Sequence, residues 1–273
     1  MSAASQNIQQ ETLSIPATKN QISAVLFSSS EEGEASRRPA LVVLHDFYGP
    51  DAQTQEAAAR LASQGYVVLM PDLFAGKAPQ DATGESAFAD FTQSLTDTQI
   101  LAQIIASVDA LVERGDVNPS RIGIVGWGWS GCYALMAAAH DDRLRVAADI
   151  GGEISYPVLT LRRPGSPLNF VANLQGALFA AFPGNDPLFP RNEIERLMGR
   201  LVEHDKIGEV KVYDGAPARF WRDAASPHTV ALWRRLESFL KTNFVPLEDR
   251  PEKYASELQP DTGYPNEESR IHA

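Results

Sequence analysis

The residues with the strongest chemical potential gather at glycine-rich breaks that follow short apolar runs. The densest break is Gly126-Trp127-Gly128-Trp129-Ser130-Gly131-Cys132, between the apolar run 122–125 and a small-residue stretch rich in alanine. A strand, a glycine turn and a helix in that order form a nucleophile elbow, which lifts one side chain above a sheet beside backbone N–H donors. The strand register places Gly128 at the apex, where there is no side chain to attack a substrate. A second register, Gly128-Trp129-Ser130-Gly131-Cys132, raises Ser130 instead. It needs a strand two residues longer and puts Cys132 where a glycine normally closes the motif. Ser130 can equally cap the following helix, and Cys132 can be a small buried hydrophobe.

Asp46 directly follows the apolar run 40–44. A carboxylate at a buried strand end beside an apolar pocket either titrates unusually high and serves as acid or base, or is tied to backbone donors. Asp186 precedes Pro187 after the run 177–182, where its side chain can bond the turn backbone. His45 should face away from Asp46, because neighbouring residues alternate sides. His140 and His204 close helices, and His228 begins one. Trp127, Trp129 and Trp221 either line a pocket or pack.

These residues need a scaffold that brings loop ends together. Runs 11–17, 21–28, 40–44, 66–70, 122–125, 145–150, 177–182 and 209–213 read as strands, and 51–64, 86–114, 131–140, 192–204 and 227–243 as helices. Segment 153–172 is irregular and rich in Pro and Gly, a candidate lid or pocket wall. Alternating strands and helices imply an α/β fold with a mainly parallel sheet covered on both faces. Ligands then bind beyond the carboxyl ends of the strands, where every motif above lies.

The 273 residues suit one α/β domain. A net charge of −11 argues against nucleic acid as a partner. No basic-then-apolar leader and no long apolar span are visible, so neither secretion nor a membrane is expected. The single cysteine, Cys132, allows no intrachain disulfide and suits the cytoplasm. No metal-binding spacing and no cofactor motif stands out.

Taken together, His45-Asp46-Phe47-Tyr48-Gly49, Pro71-Asp72-Leu73-Phe74-Ala75, the elbow, Gly184-Asn185-Asp186 and Tyr213-Asp214-Gly215-Ala216-Pro217-Ala218-Arg219-Phe220 resemble the dienelactone hydrolase family of α/β-hydrolases. The resemblance covers 21–245, leaving 1–20 as an N-terminal edge strand or extension and 246–273 as a polar tail. It implies a cysteine nucleophile, a histidine and an aspartate, assisted by a glutamate. Carried over, the aspartate is Asp186, the glutamate position holds Asp46, the cysteine position Gly128 and the histidine position Ala218. It also implies oxyanion donors on the Phe47 and Trp129 N–H groups and a carboxylate-binding arginine at Arg222.

The function expected from this is a non-hydrolytic protein that binds a small carbonyl or carboxylate ligand, or acts as a regulator. Two other classes stay open. One is a hydrolase or lyase acting on a small ester, lactone or carboxylate through Asp46, Ser130, Cys132 or His45. The other is a scaffold whose tail, through Tyr254, Leu258, Tyr264 and Ile271, anchors to the body or to a second copy.

Overall fold

The computed structural model describes residues 8–17, 21–29, 37–77 and 85–244. Eight strands form one sheet: β1 (Ile8–Pro16), β2 (Gln21–Ser29), β3 (Arg38–Leu44), β4 (Val67–Pro71), β5 (Val117–Trp127), β6 (Leu144–Ile150), β7 (Ala177–Asn185) and β8 (Gly208–Pro217). Their order across the sheet is β1-β2-β4-β3-β5-β6-β7-β8. β1 and β2 pair antiparallel at the edge, and β2 meets β4 antiparallel. From β4 to β8 every pairing is parallel. Among the described residues six helices surround the sheet: α1 (Ala52–Ala62), α2 (Glu85–Ser94), α3 (Asp97–Val112), α4 (Gly131–His140), α5 (Arg191–Glu203) and α6 (Pro227–Asn243).

The central strands are apolar without alternation because both faces are covered. Leu41, Val42, Val43 and Leu44 of β3 are all fully buried. Side chains of α3, α4 and α5 form one core, with Ile104, Tyr133 and Leu197. Side chains of α1 and α6 form the other, with Leu61, Trp233 and Leu236. The elbow therefore sends its helix, α4, to one face, while the opposite face offers α1 and α6.

The periodic stretch 86–114 divides in two. Thr96 accepts from the Gln99 N–H at 3.2 Å and starts α3 afresh, ending the continuity with α2. Segment 153–172 runs into a 3-10 turn, Pro167–Asn173, that packs against α4. It covers the α4 face and contributes no wall to the cavity described below. The tail residues named above lie outside the described residues. Among the described residues, no helix is long and apolar enough to cross a membrane, and no group of three metal-ligating side chains is found.

Candidate functional site

β5 ends at Trp127, a 3-10 turn spans Gly128–Ser130, and α4 begins at Gly131. The apex is Gly128, with φ of 55°, a left-handed conformation that glycine adopts without steric cost. Ser130 has φ of −82° and lies within the turn. Its hydroxyl accepts from the Trp127 N–H at 3.2 Å and donates to the Trp127 carbonyl at 3.1 Å. Ser130 is thus locked to the strand end and does not cap α4 through its side chain.

The space beside Gly128 is taken. A β-carbon built on Gly128 would overlap the carboxylate of Asp46, to which its three nearest heavy atoms belong. Asp46 Oδ1 accepts from the Phe47 N–H at 2.7 Å and the Trp129 N–H at 2.9 Å. The two donors inferred for an oxyanion are therefore satisfied by the protein's own carboxylate. Asp46 Oδ2 is buried and has no partner. Burial pushes the Asp46 carboxyl up to about 6, against the Trp129 and Phe47 N–H groups and the guanidinium groups of Arg219 and Arg222, which favour its charge.

His45, next in sequence, faces elsewhere. Its Nε2 accepts from the Leu73 N–H at 3.1 Å, so its Nδ1 carries the proton and donates to the Asp46 carbonyl at 2.8 Å. Burial holds its pKa below the usual histidine value. It is a neutral brace between two strand-end loops.

The remaining sequence candidates separate. Asp186 Oδ1 accepts from the Leu188 N–H at 3.0 Å, a local turn bond. Ala218 is exposed and precedes Arg219, whose φ of 52° closes the turn after β8. Arg222 is 2.7 Å from Asp51 and stacks over Tyr48 at 4.5 Å. The Cys132 thiol is buried and donates to the Trp129 carbonyl at 3.4 Å. Burial, with Glu153 and Asp149 nearby, pushes that thiol well above the ordinary thiol range, so it is a poor nucleophile.

A cavity of about 140 Å³ opens beside Asp46 on the α1/α6 face, walled by Trp127, Trp221, Trp233, Glu56 and Arg222 among others. Trp221 reaches it because Gly151, with φ of 74° and no side chain, leaves room for the indole ring. Trp127 packs against Trp233 with ring centroids 5.2 Å apart and the planes tilted by 43°, and Arg60 covers Trp233 at 4.3 Å. Trp129 is not part of this wall. It packs with Phe74 at 5.3 Å and Tyr133 at 4.9 Å.

Three participants escaped the sequence reading. Trp233 sits on the apolar stripe of α6, where it reads as core. Arg219 adjoins the Ala218 position and lies 4.4 Å over the Phe47 ring. Asp149 interrupts the apolar run of β6, which was a legible signal. It accepts from the Gly152 N–H at 2.7 Å, and burial pushes it up to about 7.

A mainly parallel sheet, an elbow between β5 and α4 and loops gathered at the strand ends define an α/β-hydrolase fold. The chain belongs to the dienelactone hydrolase family, whose model matches residues 22–244. It is 28% identical over 194 residues to a Bradyrhizobium protein named "Probable 2-oxo-3-(5-oxofuran-2-ylidene)propanoate lactonase", with 70% of this chain and 78% of that protein covered. A Synechocystis protein named "Putative carboxymethylenebutenolidase" is 21% identical over 245 residues, covering 86% of this chain and 98% of that one. In structure, the "Putative Dienelactone Hydrolase" of Klebsiella pneumoniae superimposes with a TM-score of 0.77 at 20% identity, over 86% of this chain and 98% of that one.

Proposed function

We propose that this chain is a non-hydrolytic member of the dienelactone hydrolase family that binds a small ligand in the cavity beside Asp46. The observation that carries this reading is the Asp46 carboxylate lodged at the Gly128 apex with both Phe47 and Trp129 N–H groups as donors. Removing the nucleophile or the base of a triad costs roughly 10⁶ in turnover, and removing both costs about the same. The residual rate of roughly 10³–10⁴ over water depends on oxyanion donors and binding. Here the donors already hold an anion, so a tetrahedral intermediate would have to displace it. Ser130 and Cys132 offer no replacement, since one is locked to Trp127 and the other keeps its proton.

The test is turnover of p-nitrophenyl acetate and of a dienelactone. The expected rate constant stays below about 1 s⁻¹, an ordinary slow enzyme, and is the same in Ser130→Ala and Cys132→Ala. Turnover above that level, lost in either variant, would assign a moved nucleophile and refute the reading.

A further inference from the structure

The two edges of the sheet are built differently. β8 closes one edge with Glu209, Lys211 and Asp214 and a register break against β7 between Pro183 and Asn185. Charges and irregular pairing are how an edge refuses a further strand. β1 closes the other edge. Its nine residues pair without a break against β2 and carry one charge, Glu11.

The direction of its backbone groups follows from one bond. The Asp72 N–H donates to the Ser23 carbonyl at 2.8 Å, so Ser23 faces β4. In an antiparallel strand the N–H and C=O of one residue point the same way, and successive residues alternate. Ile22, Ala24, Leu26 and Ser28 therefore face β1, where their partners are Ile15, Leu13, Glu11 and Gln9. The N–H and C=O groups of Ile8, Gln10, Thr12 and Ser14 then point outward, where no strand among the described residues receives them. Pro16, which has no N–H, ends this outward row. Gln10, Thr12 and Ser14 are exposed.

A strand added here gains affinity from backbone bonds, and charge and symmetry decide which strand. Two copies of a chain with net charge −11 repel. Residues 1–29 hold two charged side chains of opposite sign, Glu11 and Lys19, so a like copy meets least repulsion at this edge. Two identical strands related by a two-fold axis across the edge are antiparallel. Centring the axis on Thr12, the midpoint of β1, sets Thr12 opposite Thr12 of the second copy, Gln10 opposite its Ser14 and Ile8 opposite its Pro16. Every outward N–H then meets a carbonyl, and Glu11 lies opposite Leu13 of the second copy, not opposite its own like charge.

We infer that β1 pairs with β1 of a second copy of this chain in that register, extending one sheet through the dimer. The contact is four strands from β5 and its elbow, so it stands independently of the non-hydrolytic reading. A nine-residue edge is a small interface, and association is weak, with Kd of about 10–300 µM.

Sedimentation equilibrium across concentrations spanning that Kd tests it, and the mass should rise reversibly from one chain to two. Thr12→Pro removes an N–H that β2 does not use and should weaken association at least tenfold. Thr12→Lys keeps the N–H but sets like charges at the axis, and should weaken association strongly at low salt and less at high salt. Leu161→Ser, at the most exposed large apolar side chain, should leave it unchanged. Under mild oxidation Thr12→Cys should link two copies, since Cα atoms about 5.5 Å apart permit a disulfide, whereas Gln10→Cys should not. Cys132 is buried and does not compete. Circular dichroism checks that each variant folds. A chain that stays monomeric, a dimer untouched by both Thr12→Pro and Thr12→Lys, a dimer lost in Leu161→Ser, or faster linking through Gln10→Cys overturns the inference.

Discussion

Two buried carboxylates flank the elbow, one on each side of β5. Asp46 follows β3, and Asp149 pairs with Gly126 from β6. Each occupies the space that a glycine of the elbow leaves open: Asp46 that of Gly128, and Asp149 that of Gly131. Their surroundings differ. Asp46 has two N–H donors, two nearby arginines and a cavity. Asp149 has the Gly152 N–H, and no cation is among the groups that shift its titration. Burial dominates both, yet Asp46 reaches about 6 and Asp149 about 7. The difference teaches that donors and cations, more than depth, decide which acid keeps its charge near neutral pH. Asp46 is a carboxylate held by two N–H donors at the elbow, whereas Asp149 is a packed acid behind the helix start that burial pushes up to about 7.

The largest expected effect separates the two glycines. Gly128→Cys adds a β-carbon at positive φ, costing about 1–3 kcal/mol, and evicts the Asp46 carboxylate, leaving two N–H groups short of an acceptor at about 1–3 kcal/mol each. A total loss of at least about 3 kcal/mol is expected in urea unfolding. All three nearest atoms at Gly128 belong to Asp46, so Asp46→Ala in the same chain should return more than about 0.5 kcal/mol. At Gly131 the added carbon also meets the Gly152 backbone, so Asp149→Ala should not rescue Gly131→Ala. Equal rescue at both glycines would make the two carboxylates interchangeable and break the comparison.

A smaller effect lies in pH. Both acids titrate above the ordinary value of 3.8 when folded. Between the unfolded and folded pKa the folded chain binds the proton and the unfolded chain does not, so stability falls as pH rises. The loss runs from about 4 to about 6 for Asp46 and from about 4 to about 7 for Asp149, and then levels. Each pH unit inside a window is worth about 1.4 kcal/mol. Asp149→Asn should therefore gain about 2–3 kcal/mol over wild type between pH 5 and pH 8, and Asp46→Asn about 1 kcal/mol. Denaturation of both variants at the two pH values reads the difference directly. A larger gain for Asp46→Asn would reverse the electrostatic ranking.

Much of this frame is legible in the chain. A strand covered on both faces has no polar positions to spare, so the runs 40–44 and 177–182 mark β3 and β7 without help from turns. The break between α2 and α3 is hidden because Thr96 lies inside a continuing apolar period. At the site, Gly128 and Asp46 each stand out in their loops. Their meeting does not, because the bond from Trp129 to Asp46 spans 83 residues and depends on the β3–β5 register. The cavity was less legible still, since α6 delivers Trp233 and the 3-10 turn Phe220–Arg222 delivers Trp221. No local pattern records how two such elements pack over a third.

The smallest effect concerns Arg222, which the family resemblance casts as a carboxylate-binding arginine and which here binds a carboxylate of its own chain. Its partner Asp51 caps α1 through the Thr54 N–H at 3.0 Å, and the two charged side chains are 31% and 23% exposed. A pair this open contributes at most about 1 kcal/mol, so Arg222→Ala should lower the melting temperature only slightly. Its electrostatic reach is the sharper measurement. Burial alone would raise the Asp51 pKa, yet Arg222 and Thr54 hold it below the usual carboxylate value. Arg222 also favours the charged form of Asp46. In Arg222→Ala, carboxyl resonances followed by NMR should show both Asp46 and Asp51 titrating at higher pH. Asp149, whose titration no arginine shifts, should hold its midpoint. If Asp149 moves as far as Asp46, the two sides of the elbow share one field, and the contrast between a donor-held carboxylate and a packed acid fails.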